Sequence, residues 1–435
     1  MKTSPFQIIL IGVFILIFFV AIIVFSRSVD GNDSSSTTAK GTVRIWGTFP
    51  KEIINPLLGT AINNTQSNYR IEYEEIEKET FVLSFIRALA DRNPPDLLFV
   101  DNEIYAQVRD KLYTIPYESL TIREYQSTYI DTASIFLEKE GARALPVAID
   151  PLVLYYNKDL LAGQNYLIPP TTWGGLVQAI PRFLRRDANR SIAQNAVALG
   201  ETANIPHYKK ILSALFLQSG VPIVQKSAEG KLFANLGTEA RVDGGIPPGE
   251  EVLDFYTSFA NTANAHFNWA RSLPSADEFF LSGASAFYIA PASELFTLQE
   301  RNPNLNFDIA PLFQVDGAVR PATYGTLYGI GTVAESTNFI TAYTVMSALS
   351  TDAFVTELTN ALTLAPVRRS LLLQAQTDRH RAIMYQVAPN TFSWLDPNPK
   401  NTDTAMTEAI TGMLRGALNA NSALGRLQSV FSRIQ

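Results

Sequence analysis

The chain contains no cysteine. That excludes disulfides, thiol nucleophiles and thiolate-ligated metal sites, and it leaves no thiol to carry a lipid anchor. Histidine is nearly as scarce. His207, His266 and His380 are scattered, with no i, i+4 pair and no carboxylate-rich neighbourhood, so no metal site is expected and each reads as a surface or satisfied core residue. No G-x-S-x-G elbow, phosphate-cradling glycine loop or H-E-x-x-H helix occurs. No catalytic residue and no cofactor is therefore expected. A carboxylate pair for glycoside hydrolysis is defined in space and not in sequence, and the pair that stands out at strand ends is Asp101 with Asp150. Charge is also sparse: charged residues make up 17% and the net charge is -6 over 435 residues. That leaves no field for a polyanion. The short basic cluster Arg182, Arg185, Arg186 reads as a solvated helix face, so no nucleic-acid partner is expected.

What is present divides cleanly. Ile8 to Phe25 is almost unbroken Ile, Leu, Val and Phe. Helical at about 1.5 Å per residue, it would reach roughly 27 Å, close to the hydrocarbon thickness of a bilayer. A cleaved signal peptide is the alternative, but the run is long for a signal core and Phe25-Ser26-Arg27 is a poor small-x-small cleavage site. Residues 1–25 therefore read as an uncleaved transmembrane anchor. Lys2 before the span and Arg27 after it leave its orientation nearly unencoded. Residues 26–41 are polar and Ser/Thr-rich, a linker with a reach of roughly 20 Å.

Beyond the linker the pattern is α/β. Strands are expected at Thr42–Trp46, Tyr69–Ile76 and Leu97–Val100, alternating with helices at Lys51–Thr65 and Lys78–Asp91. Phe81, Phe85 and Leu89 recur at i, i+4, i+8 on the second helix. That rhythm means a parallel sheet covered on both faces, with Asp101-Asn102 at a carboxyl strand end where such sheets bind ligands. Residues 172–220 read as largely helical, 224–249 as a surface hairpin and loop, and 251–263 as helix. Strand character returns at 284–290, 307–311 and 324–334, before a mostly helical tail.

The most informative stretch is Leu145 to Leu161, LPVAIDPLVLYYNKDLL. An apolar strand passes through a carboxylate, Asp150, and continues as a second strand ending in Tyr155-Tyr156-Asn157-Lys158-Asp159. It resembles the first hinge crossing of the family 1 extracellular solute-binding proteins, the maltose-binding-like receptors of ABC importers. Phe279 to Ile289, with its helix-ending Gly283, is similar to that family's returning strand. Ala365 to Ser370 is similar to its Pro-x-Arg segment, and Gly416 to Ile434 to its closing helix. Where many sugar-binding members carry Gly-x-Trp, this chain has Ala290-Pro291-Ala292-Ser293, so an expected stacking ring is absent.

The resemblance implies a type II, two-lobed periplasmic-binding-protein-like fold with three interlobe crossings. On that frame residues 42–148 and 285–325 are assigned to lobe 1, and 149–284 and 326–435 to lobe 2. It further implies a head on the extracytoplasmic side of the cell membrane, binding a small polar ligand such as a sugar in the cleft and delivering it to permease subunits. Candidate ligand contacts follow. Trp46, after the first strand, is as readily packed as exposed. Asp101 has helix N-capping as its alternative role. Asp150 at the crossing needs a ligand or a structural partner. Tyr155 and Tyr156 alternate faces, so at most one points into the cleft. Tyr288, Tyr324 and Tyr328 lie at the other proposed crossings. Trp269 and Trp394 could supply stacking planes or core, and Arg368 could pair with an acidic ligand or with hinge carboxylates. An anchored carbohydrate-active enzyme and a sensory or adhesion module on the same fold remain alternative readings.

Overall fold

The computed structural model describes residues 40–63, 68–227, 229–239, 245–318 and 320–433. The apolar run Ile8–Phe25 and most of the linker lie outside the described residues. Among those described, no helix is long and apolar enough to cross a membrane.

The chain opens with β1 (Lys40–Gly47), α1 (Lys51–Asn63), β2 (Asn68–Glu75), α2 (Lys78–Ala90), β3 (Leu97–Asp101) and α3 (Asn102–Val108). β1 pairs in parallel with β2 on one side and β3 on the other. Phe81 and Phe85 of α2 are fully buried on one face of this sheet, and Ile54 and Leu58 of α1 belong to the core on the other. Coverage from both sides explains why all five residues of β3 are buried.

β4 (Leu145–Asn157) then runs thirteen residues, every one buried. It is followed by α4 (Trp173–Phe183), β5 (Ile192–Val197), α5 (Tyr208–Gln218) and a hairpin of β6 (Ile223–Lys226) and β7 (Leu232–Asn235). Gly220, at φ +77°, ends α5 in a conformation that costs other residues strain. Next come α6 (Pro248–Ser258), β8 (Ser285–Pro291), β9 (Phe307–Pro311), β10 (Thr323–Thr332), α7 (Phe339–Ala348), α8 (Asp352–Leu362) and β11 (Ala365–Pro366). The chain closes with α9 (Arg379–Val387), β12 (Thr391–Phe392), α10 (Pro399–Leu414) and α11 (Ala420–Ser432).

β4 and β10 join the two lobes. Residues Leu145–Pro151 of β4 pair with Gly325–Ile330 of β10, while Leu152–Asn157 continue into the second lobe against β8 and β9. The far end of β10, Tyr328–Thr332, pairs antiparallel with β3.

These pairings correct the expected division of the chain. Residues 285–311 do not return to the first lobe, because β8 is hydrogen-bonded to β5 and to the distal half of β4. Residues 326–366 do not enter the second lobe: α7 packs on β1 and β10, and α8 packs on α1. The chain crosses back later, between β11 and α9, since α9 packs on β9 and α11 on α6 and β7. The stretch 172–220 is also less helical than expected, as it contains β5, whose buried Asn195 interrupts the apolar signal.

Candidate functional site

A cavity of about 690 Å³ lies between the lobes. α2 and α3 supply Lys78, Glu103 and Gln107 on one wall. The start of α5 supplies His207 to Lys210 on the other, with Asn398, Lys400 and Asp403 of the α10 region beside them. Tyr324 of β10 lies at the hinge.

Glu103 is the electrostatic centre, gripped from both lobes. Lys78 Nζ stands 2.8 Å from Glu103 Oε2 and 2.6 Å from Asp101 Oδ2. From across the cleft, Lys209 Nζ reaches Glu103 Oε1 at 3.2 Å and Asp396 Oδ2 at 2.7 Å. Burial alone would raise the Glu103 carboxyl, but Lys209 and Lys78 outweigh it and lower its pKa to about 2. Burial opposes the charge on Lys209 as well, yet Glu103 and Asp396 together push its pKa up. Asp396, with no exposed surface, goes the other way. Its desolvation outweighs Lys209 and raises its pKa. The Lys209 ammonium also lies 5.5 Å from the Trp394 ring centroid, a cation–π contact that adds to its hold.

Hydrogen bonds behind this network tie the lobes to the hinge. The Asn102 amide donates to the Trp394 carbonyl at 2.8 Å and to Tyr324 Oη at 3.4 Å, and its Oδ1 accepts from the Leu327 N–H at 3.2 Å. Tyr208 Oη donates to Asp403 Oδ1 at 2.5 Å, and His207 Nε2 is bonded to Glu294 Oε1. Lys210 lines the cavity and lends its charge to the buried Asp150 behind it.

Of the residues expected at the site, Tyr324 lines this cavity. Asp101 N-caps α3, accepting from the Glu103 and Ile104 N–H groups at 2.9 and 2.7 Å, and stands behind the cavity by way of Lys78. Asp150 is occupied by Ser293, accepting from its N–H at 3.1 Å and its Oγ at 2.7 Å. Desolvation raises the Asp150 pKa, though Lys210 and Ser293 oppose the rise. The remaining candidates are placed by packing. Tyr155 is fully buried and donates to the Pro291 carbonyl at 2.8 Å, because both faces of β4 are covered. Tyr288 donates to Glu294 Oε2 at 3.0 Å. Tyr328 packs its ring 4.9 Å from that of Phe49. Trp46 is half-buried, with its Nε1 unbonded within the described structure. Trp269 is fully buried and donates to Asn204 Oδ1 at 3.0 Å, so it is core and not a stacking plane. Trp394 donates to Ser213 Oγ at 3.0 Å, and Lys209 lies over its ring. Arg368 is held by the Ser350 carbonyl at 2.8 Å, by Asp352 and by the Tyr129 ring, outside the cavity lining.

Sequence reasoning passed over Lys78, Glu103 and Lys209. One signal was available. Lys209 and Lys210 sit in the first turn of α5, where the helix dipole disfavours cations, and for Lys209 the carboxylates of Glu103 and Asp396 offset it. Among the described residues no group of histidine or carboxylate side chains is arranged to hold a metal ion.

Two α/β lobes joined by through-running strands, with a polar cavity between them, define a solute receptor of the hinged type. The chain belongs to the bacterial extracellular solute-binding protein family, whose profile it matches over residues 59–384, well over half of its length. Curated proteins give no match. Among solved structures, the GacH receptor of Streptomyces glaucescens superposes with a TM-score of 0.70 at 14% identity, covering 91% of this chain and 98% of that one. The cyclic α-maltosyl-1,6-maltose binding protein of Arthrobacter globiformis gives 0.73 at 16% identity, over 90% and 98%. The maltotriose binding protein of Thermus thermophilus gives 0.65 at 17%, over 90% and 99%. At these identities the likeness is one of fold.

Proposed function

We propose that this protein captures a small polar solute, a saccharide in the first instance, between its lobes and presents it to the permease of an ABC importer. The observation that carries the reading is the interlobe cavity, whose walls offer ammonium donors and carboxylate acceptors from both sides. Such groups match the hydroxyls of a sugar, which both donate and accept. The fold neighbours include receptors solved with acarbose, maltotetraose, α-D-tagatose and maltotriose, which agrees with this choice of ligand class. Closure follows from the ligand's extra affinity for the state in which Glu103 and Lys209 meet.

In this reading Ile8–Phe25 anchors the head outside the cell, and residues 26–41 let it reorient near the permease, raising its effective concentration there. A thermal-shift screen of mono- and oligosaccharides tests the proposal. A binder present at 100 times its Kd raises stability by about 2.7 kcal/mol and lifts Tm. If no saccharide lifts Tm and calorimetry with the same panel is flat, the saccharide reading fails.

A further inference from the structure

His207 lies on the cavity wall immediately before α5, and its ring is held from behind. Nε2 is hydrogen-bonded to Glu294 Oε1, and the other oxygen of that carboxylate accepts from Tyr288 Oη at 3.0 Å. Glu294 ends the turn Ala292–Glu294 that follows β8. Ser293 of the same turn donates to Asp150, which ties the turn to the through-running strand β4. The Tyr288 ring also flanks the imidazole, with centroids 6.3 Å apart. A carboxylate bonded through both oxygens, on a turn anchored to two strands, fixes the orientation of the ring it holds.

An ionised carboxylate only accepts, so the proton of a neutral ring held this way sits on Nε2 and leaves Nδ1 a bare acceptor. A residue just before a helix has a local use for such an atom, capping the free N–H groups of the first turn. His207 makes no such cap. Its Nδ1 has no hydrogen bond among the described residues, yet it is not one of the buried atoms left without a partner. Nδ1 therefore keeps open surface, on a residue that lines the cavity. The carboxylates of the wall are otherwise committed. Glu103 is taken by Lys78 and Lys209, Asp403 accepts from Tyr208 Oη, and Glu79 is exposed to water. Three residues on, on the same helical face, Lys210 sets an ammonium donor beside this free acceptor.

We infer that His207 determines specificity: its Nδ1 accepts a hydrogen bond from one hydroxyl of the bound sugar, and so selects a solute that carries a donor at that position. This rests on the saccharide reading and adds to it a named contact and its direction. Glu294 and Tyr288 do not line the cavity and act through His207, as positioning residues.

Calorimetry on the full chain in mildly alkaline buffer, where the ring is neutral, tests the inference with glucose, galactose, xylose, maltose and maltotriose. For the sugar that binds, monodeoxyfluoro analogues follow, because fluorine cannot donate. Fluorination at one position should cost about tenfold in affinity, and that loss should vanish in His207→Gln while losses at other positions remain. The Gln amide can still donate to Glu294 but places no acceptor where Nδ1 stands, so His207→Gln should bind the parent sugar about tenfold more weakly. Asn carries its Oδ1 at the place of Nδ1, and His207→Asn should bind at least about threefold tighter than His207→Gln. Binding unchanged in His207→Gln, a weaker His207→Asn than His207→Gln, or no position in the native protein at which fluorine costs affinity would overturn the inference while the saccharide reading stands. If none of the sugars binds, both fall together.

Discussion

Among the described residues two ion-paired bridges span the lobes, and they balance burial against charge in opposite ways. At the cavity, Lys209 faces two carboxylates, Glu103 and Asp396. At the hairpin, Lys226 faces one, Glu138, and shares it with Arg109, whose Nη1 lies 3.2 Å from the same oxygen. Burial disfavours the ammonium in both places. Two partners more than offset it for Lys209, whose pKa is raised, whereas for Lys226 burial prevails and the pKa is lowered. What separates them is the number of carboxylates each ammonium can call its own. The cavity bridge is an electrostatic clamp. The hairpin bridge is chiefly a hydrogen-bonded strap, with two backbone carbonyls as its other acceptors.

Removing the clamp should have the largest effect. Lys209→Met leaves Asp396, which has no exposed surface, without its cation and takes from Glu103 its one partner in the other lobe among the described residues. Breaking one side of such a buried pair costs about 3–5 kcal/mol, and urea denaturation should register a loss of that size. Lys209→Arg, which keeps the charge, should recover at least half of it. If Lys209→Met unfolds no more easily than the native protein, the clamp contributes nothing.

Acid probes the same clamp from its anionic side. Glu103 is held down from its ordinary 4.5 to about 2. A carboxylate depressed in the folded state stabilises above its unfolded pKa, and that contribution is lost as pH falls through the folded one. Up to about 3 kcal/mol should therefore disappear between pH 4.5 and about 2. Denaturation midpoints across this window should fall less steeply in Glu103→Gln, which has no carboxyl to protonate there. Parallel curves for the two proteins would place the acid sensitivity elsewhere.

The fold was more legible in the sequence than the site was. β1 through β3 and the two helices between them follow from local periodicity, because each element carries its own apolar spacing, as Phe81 and Phe85 do. Which lobe a strand joins is not a local property. β8 and β10 are both apolar strands, and only their hydrogen-bond partners separate the one that stays in the second lobe from the one that crosses. The clamp was hidden for the same reason, since Lys209 lies 106 residues from Glu103 and 187 from Asp396 in the chain. Tyr155 became a candidate ligand contact from its place beside the first crossing, yet it is core. A strand covered on both faces turns any ring it carries into core, and Tyr155 shows this on β4.

The strap should matter less than the clamp, and a surface pair less again. In Lys226→Met, Glu138 keeps Arg109 and the Tyr105 hydroxyl, so the loss is confined to hydrogen bonds at two carbonyls, about 1–2 kcal/mol. Arg369 and Asp131 offer the limiting case. Their side chains meet at 2.6 Å but are 41% and 73% exposed, so water competes for both and side-chain entropy opposes the pairing. Arg369→Ala should cost at most about 0.5 kcal/mol, and that loss should shrink further as salt is raised. Equilibrium urea melts of the three variants under one buffer should rank them Lys209, Lys226, Arg369. An Arg369→Ala loss as large as that of Lys226→Met would mean that burial and the count of private partners do not set the strength of these bridges.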